Sequence, residues 1–153
     1  RYLMRSILRS TILVAVVAAL TVPAFAQDAR VAQQVKLRQA AFTVLGAQMS
    51  QMGAMAAGRA PYDAKAFRLA AERAAFMGTI VPDLFPAGSA GGKAKDELWQ
   101  NSADFQKLMN DMKSKTAALS AAAAKGESFD ALKPLFGAAG GSCKACHDKY
   151  KAD

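Results

Sequence analysis

The residues of this chain best suited to chemistry are two cysteines and a histidine near its C-terminal end. They form the run Cys143-Lys144-Ala145-Cys146-His147, which contains both cysteines and the single histidine of the 153-residue sequence. Two thiols at this spacing, followed at once by an imidazole, are the signature of covalent haem attachment. The thiols bond to the haem edge and the imidazole ligates the iron. On a helix these three residues share one side and would meet one planar ligand.

The same cysteine spacing also occurs in disulfides, in thioredoxin-like dithiols and in halves of zinc sites. A dithiol enzyme of that kind shows a βαβ pattern, and a zinc site needs four ligands. This sequence offers only two cysteines and one histidine. The residue types therefore predict one haem c per chain, bonded to Cys143 and Cys146, with His147 as the metal ligand.

The sixth position of the iron is either open or filled by methionine, because a single histidine excludes ligation by two. Methionine also fills gaps in helical cores, and the candidates lie on apolar stripes. We interpret them as core residues. They are Met49, Met52, Met55, Met77, Met109 and Met112.

Two helices are predicted in the first half of the chain. Apolar side chains recur at three- and four-residue steps over residues 28–57, which indicates one long helix with an apolar face. Asp63 can cap a second, shorter helix that ends before Pro82. Leu69 and Phe76 belong to the apolar stripe predicted for this second helix.

Two more helices are predicted after a connection that spans 81–100. This connection is rich in proline and glycine, and its length is typical of functional loops. Asn101 and Asp104 resemble a capping box at the start of a third helix, and Ser128 can cap a fourth that carries the cysteine motif. Pro134 lies too far inside the fourth helix for its first turn, which leaves an irregular start and a bend as alternatives.

The predicted fold class is all-α, because no stretch alternates apolar and polar residues long enough to form a strand. Four helices with an abundance of alanine indicate an antiparallel up-down four-helix bundle. The length suits one domain. The covalent haem would lie near the C-terminal end of this bundle.

Residues 1–26 have the pattern of a secretory signal peptide. A basic leader and an apolar run precede the small residues Ala24-Phe25-Ala26, where cleavage is expected. Removal of the leader leaves residues 27–153 as the mature domain, lowers the formal charge from +8 to +5, and predicts a periplasmic protein without a membrane anchor. Aromatic residues are not interleaved with Lys and Arg, so nucleic acid is not an expected partner.

The mature part of the chain resembles the cytochrome c′ family, whose members are periplasmic four-helix-bundle haem proteins. Four segments carry the resemblance: KLRQAAF at 36–42, APYD at 60–63, ELW at 97–99 and the run 143–150. The family is usually a homodimer through its first two helices, so the resemblance implies that assembly here.

Four further site residues follow from the resemblance. Arg38 and Gln39 would contact the haem propionates, and the loop that contains Lys93 would pass near them. The forked guanidinium suits a carboxylate because it forms paired, charge-assisted hydrogen bonds. Phe42 would cover the distal face of the haem. A phenyl ring cannot ligate iron, so the resemblance implies a five-coordinate, high-spin haem that binds NO and CO.

One position departs from the family pattern. The family often has an arginine four residues after the ligand histidine, where this chain has Lys151. Lysine is a flexible point charge and not a planar fork. Lys144, Lys149 and Lys151 could also form a basic surface around the haem edge that docks an acidic redox partner.

Two functions are compatible with this site. The first is capture of NO or CO, and the second is electron transfer, including the alternative of a low-spin, Met-ligated electron shuttle with the same fold. An enzyme would need acid-base residues over the iron or a second metal. The sequence offers neither, so we expect no catalytic residues and no enzymatic activity.

Overall fold

Residues 24–152 are described by a computed structural model, and they form an antiparallel up-down four-helix bundle. The α-helices are, in chain order, α1 (Ala24–Ala56), α2 (Ala64–Ile80), α3 (Glu97–Gln100), α4 (Ser102–Ala124) and α5 (Phe129–Tyr150), and a short 3-10 helix (Val81–Leu84) follows α2. α3 is a single turn, and the other four build the bundle. The predicted all-α fold is confirmed. No helix in this described range is both long enough and apolar enough to span a membrane.

The predicted caps of α2 and α5 are present. The Asp63 carboxylate accepts a hydrogen bond from the backbone N–H of Ala66 at 2.9 Å, and the Ser128 hydroxyl accepts one from Ala131 at 3.3 Å. Each bond satisfies an N–H group that the first helical turn leaves without a partner. α5 begins regularly at its cap and continues through Pro134, which excludes the irregular start.

One predicted helix start and one predicted cap are wrong, although α4 does begin directly after Asn101 as predicted. α1 begins at Ala24, four residues before its predicted start, because the preceding alanine-rich residues are also good helix formers. At α4 the side chain of Asn101 makes no cap and donates instead to the carbonyl of Glu97 at 3.0 Å. Asp104 bonds to the end of α5, so a tertiary partner takes the place of the expected capping box.

The core contains the methionines, as predicted. Met52, Met55, Met109 and Met112 are buried, while Met49 and Met77 are partly buried against the same cluster. Unbranched methionine side chains fill irregular spaces between helices.

The inward face of α2 differs from the predicted stripe. Leu69 is 40% exposed and Phe76 is 64% exposed, so both were assigned to the wrong face. The buried residues of α2 are Phe67, Ala70, Ala71, Ala74 and Gly78. A Cβ on Gly78 would lie 2.8 Å from the hydroxyl oxygen of Thr116 on α4. At Gly78 the two helices approach so closely that only a small residue fits. Apart from Phe67, the buried residues of α2 are small, and two large apolar ones are exposed.

The connection between α2 and α4 is fastened to the C-terminal end of α5. The N–H of Lys95 donates to the carbonyl of Tyr150 at 2.9 Å, and the N–H of Ala152 donates to the carbonyl of Lys93 at 2.8 Å. These backbone bonds hold the connection beside the helical turn that carries His147.

Candidate functional site

A cavity of about 710 Å³ lies between α1, α4, α5 and the connection after α2. Its volume falls within the range of about 300–1,000 Å³ that is common for small-molecule and cofactor sites. Most of its wall is apolar. All seven residues proposed from the sequence line it, namely Arg38, Gln39, Phe42, Lys93, Cys143, Cys146 and His147.

The two cysteines of the motif lie on one side of this cavity and form no disulfide bond with each other. Burial raises the pKa of Cys143, and burial with the nearby Cys143 and Asp104 raises the pKa of Cys146 to about 11. Both groups are therefore protonated thiols at neutral pH. Their positions would allow both sulfur atoms to form thioethers with one haem.

His147 lies on the same helical turn and also lines the cavity. Burial lowers its pKa, and the positive charge of Lys151 lowers it further. The imidazole is therefore neutral at physiological pH, and a neutral ring nitrogen is the form that binds a metal.

Phe42 projects into the cavity from α1. The centroid of its ring is 6.3 Å from that of His147, with the two ring planes at 63°. The methionines divide into two groups relative to this space. Met49, Met109 and Met112 line the cavity, whereas Met52, Met55 and Met77 lie outside its wall.

Arg38 is buried in the wall of the cavity, with only 4% of the residue exposed. Its guanidinium donates to the carbonyl and hydroxyl oxygens of Ser89 at 2.8 and 3.0 Å and to the carbonyl of Gly91 at 3.0 Å. It also lies over the rings of Phe85 and Trp99, 5.0 and 5.4 Å from their centroids. Burial lowers its pKa.

The surroundings of Arg38 provide a test of the predicted cofactor. Within residues 24–152 no carboxylate forms an ion pair with this buried cation. Buried charges are normally paired, because desolvation of an unpaired charge is costly. A haem propionate would supply the missing negative charge at the cavity wall, so the residues present fit the group.

Gln39 and Lys93 are exposed residues at the rim of the cavity. The Gln39 side-chain nitrogen lies beside Gly92, where a Cβ would approach it to 3.6 Å. Both side chains therefore lie next to the connection between α2 and α4.

The expected basic surface of three lysines is largely neutralised. Lys144 forms an ion pair with Asp148, and Lys149 forms one with Asp104 at 2.7 Å. Among the described residues, Lys151 has no ion-pair partner within 4.0 Å. Neighbouring acids on α4 and α5 leave less positive charge than the lysines alone suggest.

Asp104 and Tyr150 form a contact that the sequence did not reveal. The Tyr150 hydroxyl donates to one carboxylate oxygen of Asp104 at 2.6 Å, and Lys149 donates to the same oxygen. These bonds lower the pKa of Asp104. The only sequence signal was the place of Tyr150 on the same helical face as the motif.

The site is thus a mostly apolar cavity in a helical bundle, with two thiols and an imidazole on one wall and a buried cation on another. The zinc alternative lacks ligands, because no three His, Cys, Asp or Glu side chains cluster around a metal position in the part of the chain that the structure describes. Fold and site together define a c-type haem protein.

Comparisons with known proteins agree with this class. Residues 33–151 match the model of the cytochrome C′ family. The cytochrome c′ of Alcaligenes xylosoxydans xylosoxydans is 35% identical over 125 residues, which cover 82% of this chain and 98% of that protein. A cytochrome c-554 of Cereibacter sphaeroides is 33% identical over 136 residues, with coverages of 84% and 88%.

Solved structures show the same relationship. Cytochrome c prime from Shewanella frigidimarina superposes with a TM-score of 0.77 at 38% identity, covering 80% of this chain and 97% of that one. The nitric oxide complex of a cytochrome c prime mutant from Alcaligenes xylosoxidans gives a TM-score of 0.75 at 34% identity, with the same coverages. This chain belongs to the cytochrome c′ family. Its cofactor is covalent haem c, bonded to Cys143 and Cys146.

Proposed function

We propose that this protein binds NO and CO at a five-coordinate haem iron ligated by His147, and that the same haem can exchange electrons. The observation that carries the proposal is the place of Phe42. Its ring, on α1, lies 6.3 Å from the ring of His147, on α5, in one cavity. A haem bound through His147 would therefore have the Phe42 ring on its opposite face. A phenyl ring cannot ligate iron.

The residues around the cavity have distinct roles in this proposal. When bound, the haem supplies an open coordination position on iron and a one-electron couple. Neutral His147 holds the metal, and the two thioethers keep the cofactor in place. Arg38 and Gln39 bind the propionates, with Lys93 at the rim, and Phe42 keeps water from the distal side.

The same surroundings favour NO and CO over O₂. Bound O₂ gains from a hydrogen-bond donor, whereas NO and CO need none. Two polar side chains close to Phe42 along α1 already donate elsewhere: the Thr43 hydroxyl donates to the carbonyl of Gln39 at 2.8 Å, and Arg38 donates to the connection. The nitric oxide complexes of Alcaligenes xylosoxidans cytochrome c prime support this choice of ligand.

Optical spectroscopy of the purified holoprotein tests this function. The oxidised and reduced forms should both be high-spin, and CO and NO should bind to the ferrous form without displacing a protein ligand. Phe42→Met should produce a low-spin ferrous spectrum and slower CO binding, because a thioether would then face the iron. Phe136→Met, which changes the same residue type elsewhere in the cavity wall, is the matched control and should stay high-spin.

The low-spin electron shuttle is the second candidate, because Met49, Met109 and Met112 reach the cavity. It predicts a parent protein that is low-spin in both oxidation states and does not bind CO. That result would contradict the five-coordinate proposal. A high-spin parent would exclude the shuttle.

Electron exchange with an acidic partner would use the rim of the cavity. Lys93 and Lys151 are exposed there, and neither forms an ion pair among the described residues. We expect a redox partner of opposite charge to dock at these two lysines. We assign no catalytic residues and propose that the protein is not an enzyme.

We also propose a homodimer through α1 and α2, as the resemblance implies. Leu37 and Val44 on α1 are about half exposed, and Leu69 and Phe76 on α2 are also exposed. Each pair is seven residues apart, so each lies on one face of its helix. A second copy of the chain would cover these side chains.

Export to the periplasm with removal of residues 1–26 is part of the same proposal. Residues 1–23 lie outside the described part of the chain. Mass spectrometry of the holoprotein from the periplasmic fraction should give a chain that begins at Gln27. A chain that retains its leader would contradict the proposed cleavage.

A further inference from the structure

The C-terminal turn of α5 is held in place from two sides. On one side the Tyr150 hydroxyl donates to Asp104 of α4 at 2.6 Å, and Lys149 donates to the same carboxylate oxygen at 2.7 Å. On the other side the Tyr150 carbonyl accepts the N–H of Lys95 from the connection. Tyr150 is only 3% exposed, and its ring packs edge-on against Phe105 at 5.8 Å.

Tyr150 is part of the same helical face as the haem motif. It follows His147 by three positions and Cys146 by four, and it lines the same cavity. An anchor on Tyr150 therefore fixes the direction in which the His147 side chain leaves the helix. The Asp104 carboxylate therefore lies at the edge of the same cavity, because the Tyr150 side chain that it binds lines the cavity wall.

We propose that Asp104 is a positioning residue of the haem site, which orients the His147 turn through Tyr150 and stabilises the ferric state by its charge. The proposal rests on the covalent haem at this site and on His147 as its ligand, and it does not depend on which gas the iron binds. Groups outside the direct ligands commonly tune a metal by fixing ligand orientation and by their charge.

Two substitutions separate the two roles. Asp104→Asn keeps an oxygen that can accept from Tyr150 but removes the negative charge and leaves Lys149 uncompensated. Both changes disfavour Fe(III), so the reduction potential should rise. Tyr150→Phe keeps the charge and removes the hydroxyl that reaches Asp104. It should change the Fe–His stretching frequency of the ferrous protein.

Asp111→Asn is the matched control on the same helix. The Asp104 and Asp111 side chains are both 43% exposed and each pairs with one lysine. Asp111 lies seven residues further along α4, roughly 10 Å away along the helix axis. Its substitution removes the same charge without touching Tyr150.

The experiment measures the reduction potential and the resonance Raman Fe–His band on the holoprotein of each variant. Covalent haem and a thermal unfolding transition like that of the parent are checked first for each variant. The expected result is a higher potential in Asp104→Asn than in Asp111→Asn, and a shifted Fe–His band in Tyr150→Phe. Equal potentials in the two aspartate variants would overturn the role of the charge. An unchanged band in Tyr150→Phe would overturn positioning through Tyr150. If the purified parent protein carried no covalent haem, the assignment of the haem site would be wrong, independently of the role of Asp104.

Discussion

Arg38 is a cation whose described neighbours are carbonyl oxygens, a hydroxyl and two aromatic rings. Its guanidinium donates to the carbonyl oxygens of Ser89 and Gly91 in the connection. Without Arg38 these partly buried oxygens would lose a hydrogen-bond donor. The same guanidinium lies in the wall of the haem cavity. One side chain therefore joins the connection to the cofactor site.

Arg38→Met should lower the free energy of unfolding of the holoprotein by about 1.5–3 kcal/mol, because hydrogen bonds to a charged group are lost and the carbonyls lose their donor. Guanidinium unfolding followed by circular dichroism measures this change. Arg68→Met removes an exposed arginine that pairs with Glu72, and it should cost no more than about 0.5 kcal/mol. Equal effects of the two substitutions would show that the connection does not depend on Arg38.

Asp104 should make the stability of the holoprotein depend on acid pH. Its pKa in the folded protein is below the ordinary value of 3.8, first because Lys149 and then because Tyr150 donates to it. The stabilisation by its charged form is therefore complete above that ordinary value and is lost as the pH falls through the folded pKa.

The difference in unfolding free energy between the parent and Asp104→Asn should be constant from about pH 5 to 7 and shrink in more acid solution. Denaturant unfolding at a series of pH values measures it, with Asp111→Asn as the control for loss of an exposed ion pair on α4. A difference that stays constant down to pH 3 would contradict the assigned bonds.

At the scale of elements, the connection between α2 and α4 is shaped by its close approach to α1. Gly92 has φ +66°, and a Cβ there would lie 2.9 Å from a methyl carbon of Val35. Both the left-handed backbone and the lack of space require glycine. The resulting path brings Lys93 to the rim of the cavity.

Gly92→Ala should therefore destabilise the holoprotein more than Gly58→Ala. Gly58 has a similar φ of +68°, but a Cβ there would meet nothing within 4 Å. The left-handed conformation alone costs roughly 1–2 kcal/mol for alanine, and the contact with Val35 should add about 1–3 kcal/mol. Denaturant unfolding compares the two, and equal losses would mean that α1 and the connection separate easily.

At the scale of the whole molecule, the packing of the bundle leaves two large apolar side chains of α2 exposed to solvent. Apart from Phe67, the inner face of α2 consists of small residues, and α4 approaches it closely where Gly78 faces Thr116. Leu69 and Phe76 are left on the surface. The assembly proposed above would return them to an apolar environment.

Phe76→Glu should weaken the proposed homodimer by about tenfold or more, since it places a charge in an apolar contact and each 1.4 kcal/mol changes Kd tenfold. Light scattering on the holoprotein over a range of concentrations measures the effect. Gln106→Glu adds the same charge at an exposed position of α4 and should leave the dimer intact. A Phe76→Glu protein as dimeric as the parent would place the interface elsewhere.

The sequence alone was sufficient for features that depend on neighbouring residues. The haem motif is contiguous from Cys143 to His147, and its meaning follows from spacing on one helical turn. The four long helices follow from apolar periodicity, and the caps at Asp63 and Ser128 act within three residues. The resemblance to cytochrome c′ rested on short segments of the same kind.

The tertiary structure decided features that depend on which distant residues meet. The hydroxyl of Tyr150 reaches Asp104 across 46 positions of sequence, and Arg38 reaches Ser89 across 51. The exposed face of α2 depends on how closely α4 packs against it. Apolar periodicity shows that a helix has an apolar face. In α2, however, both the face that carries most of the alanines and the face with Leu69 and Phe76 are apolar. Only packing, which fills the core at close contact, selects the one that is buried.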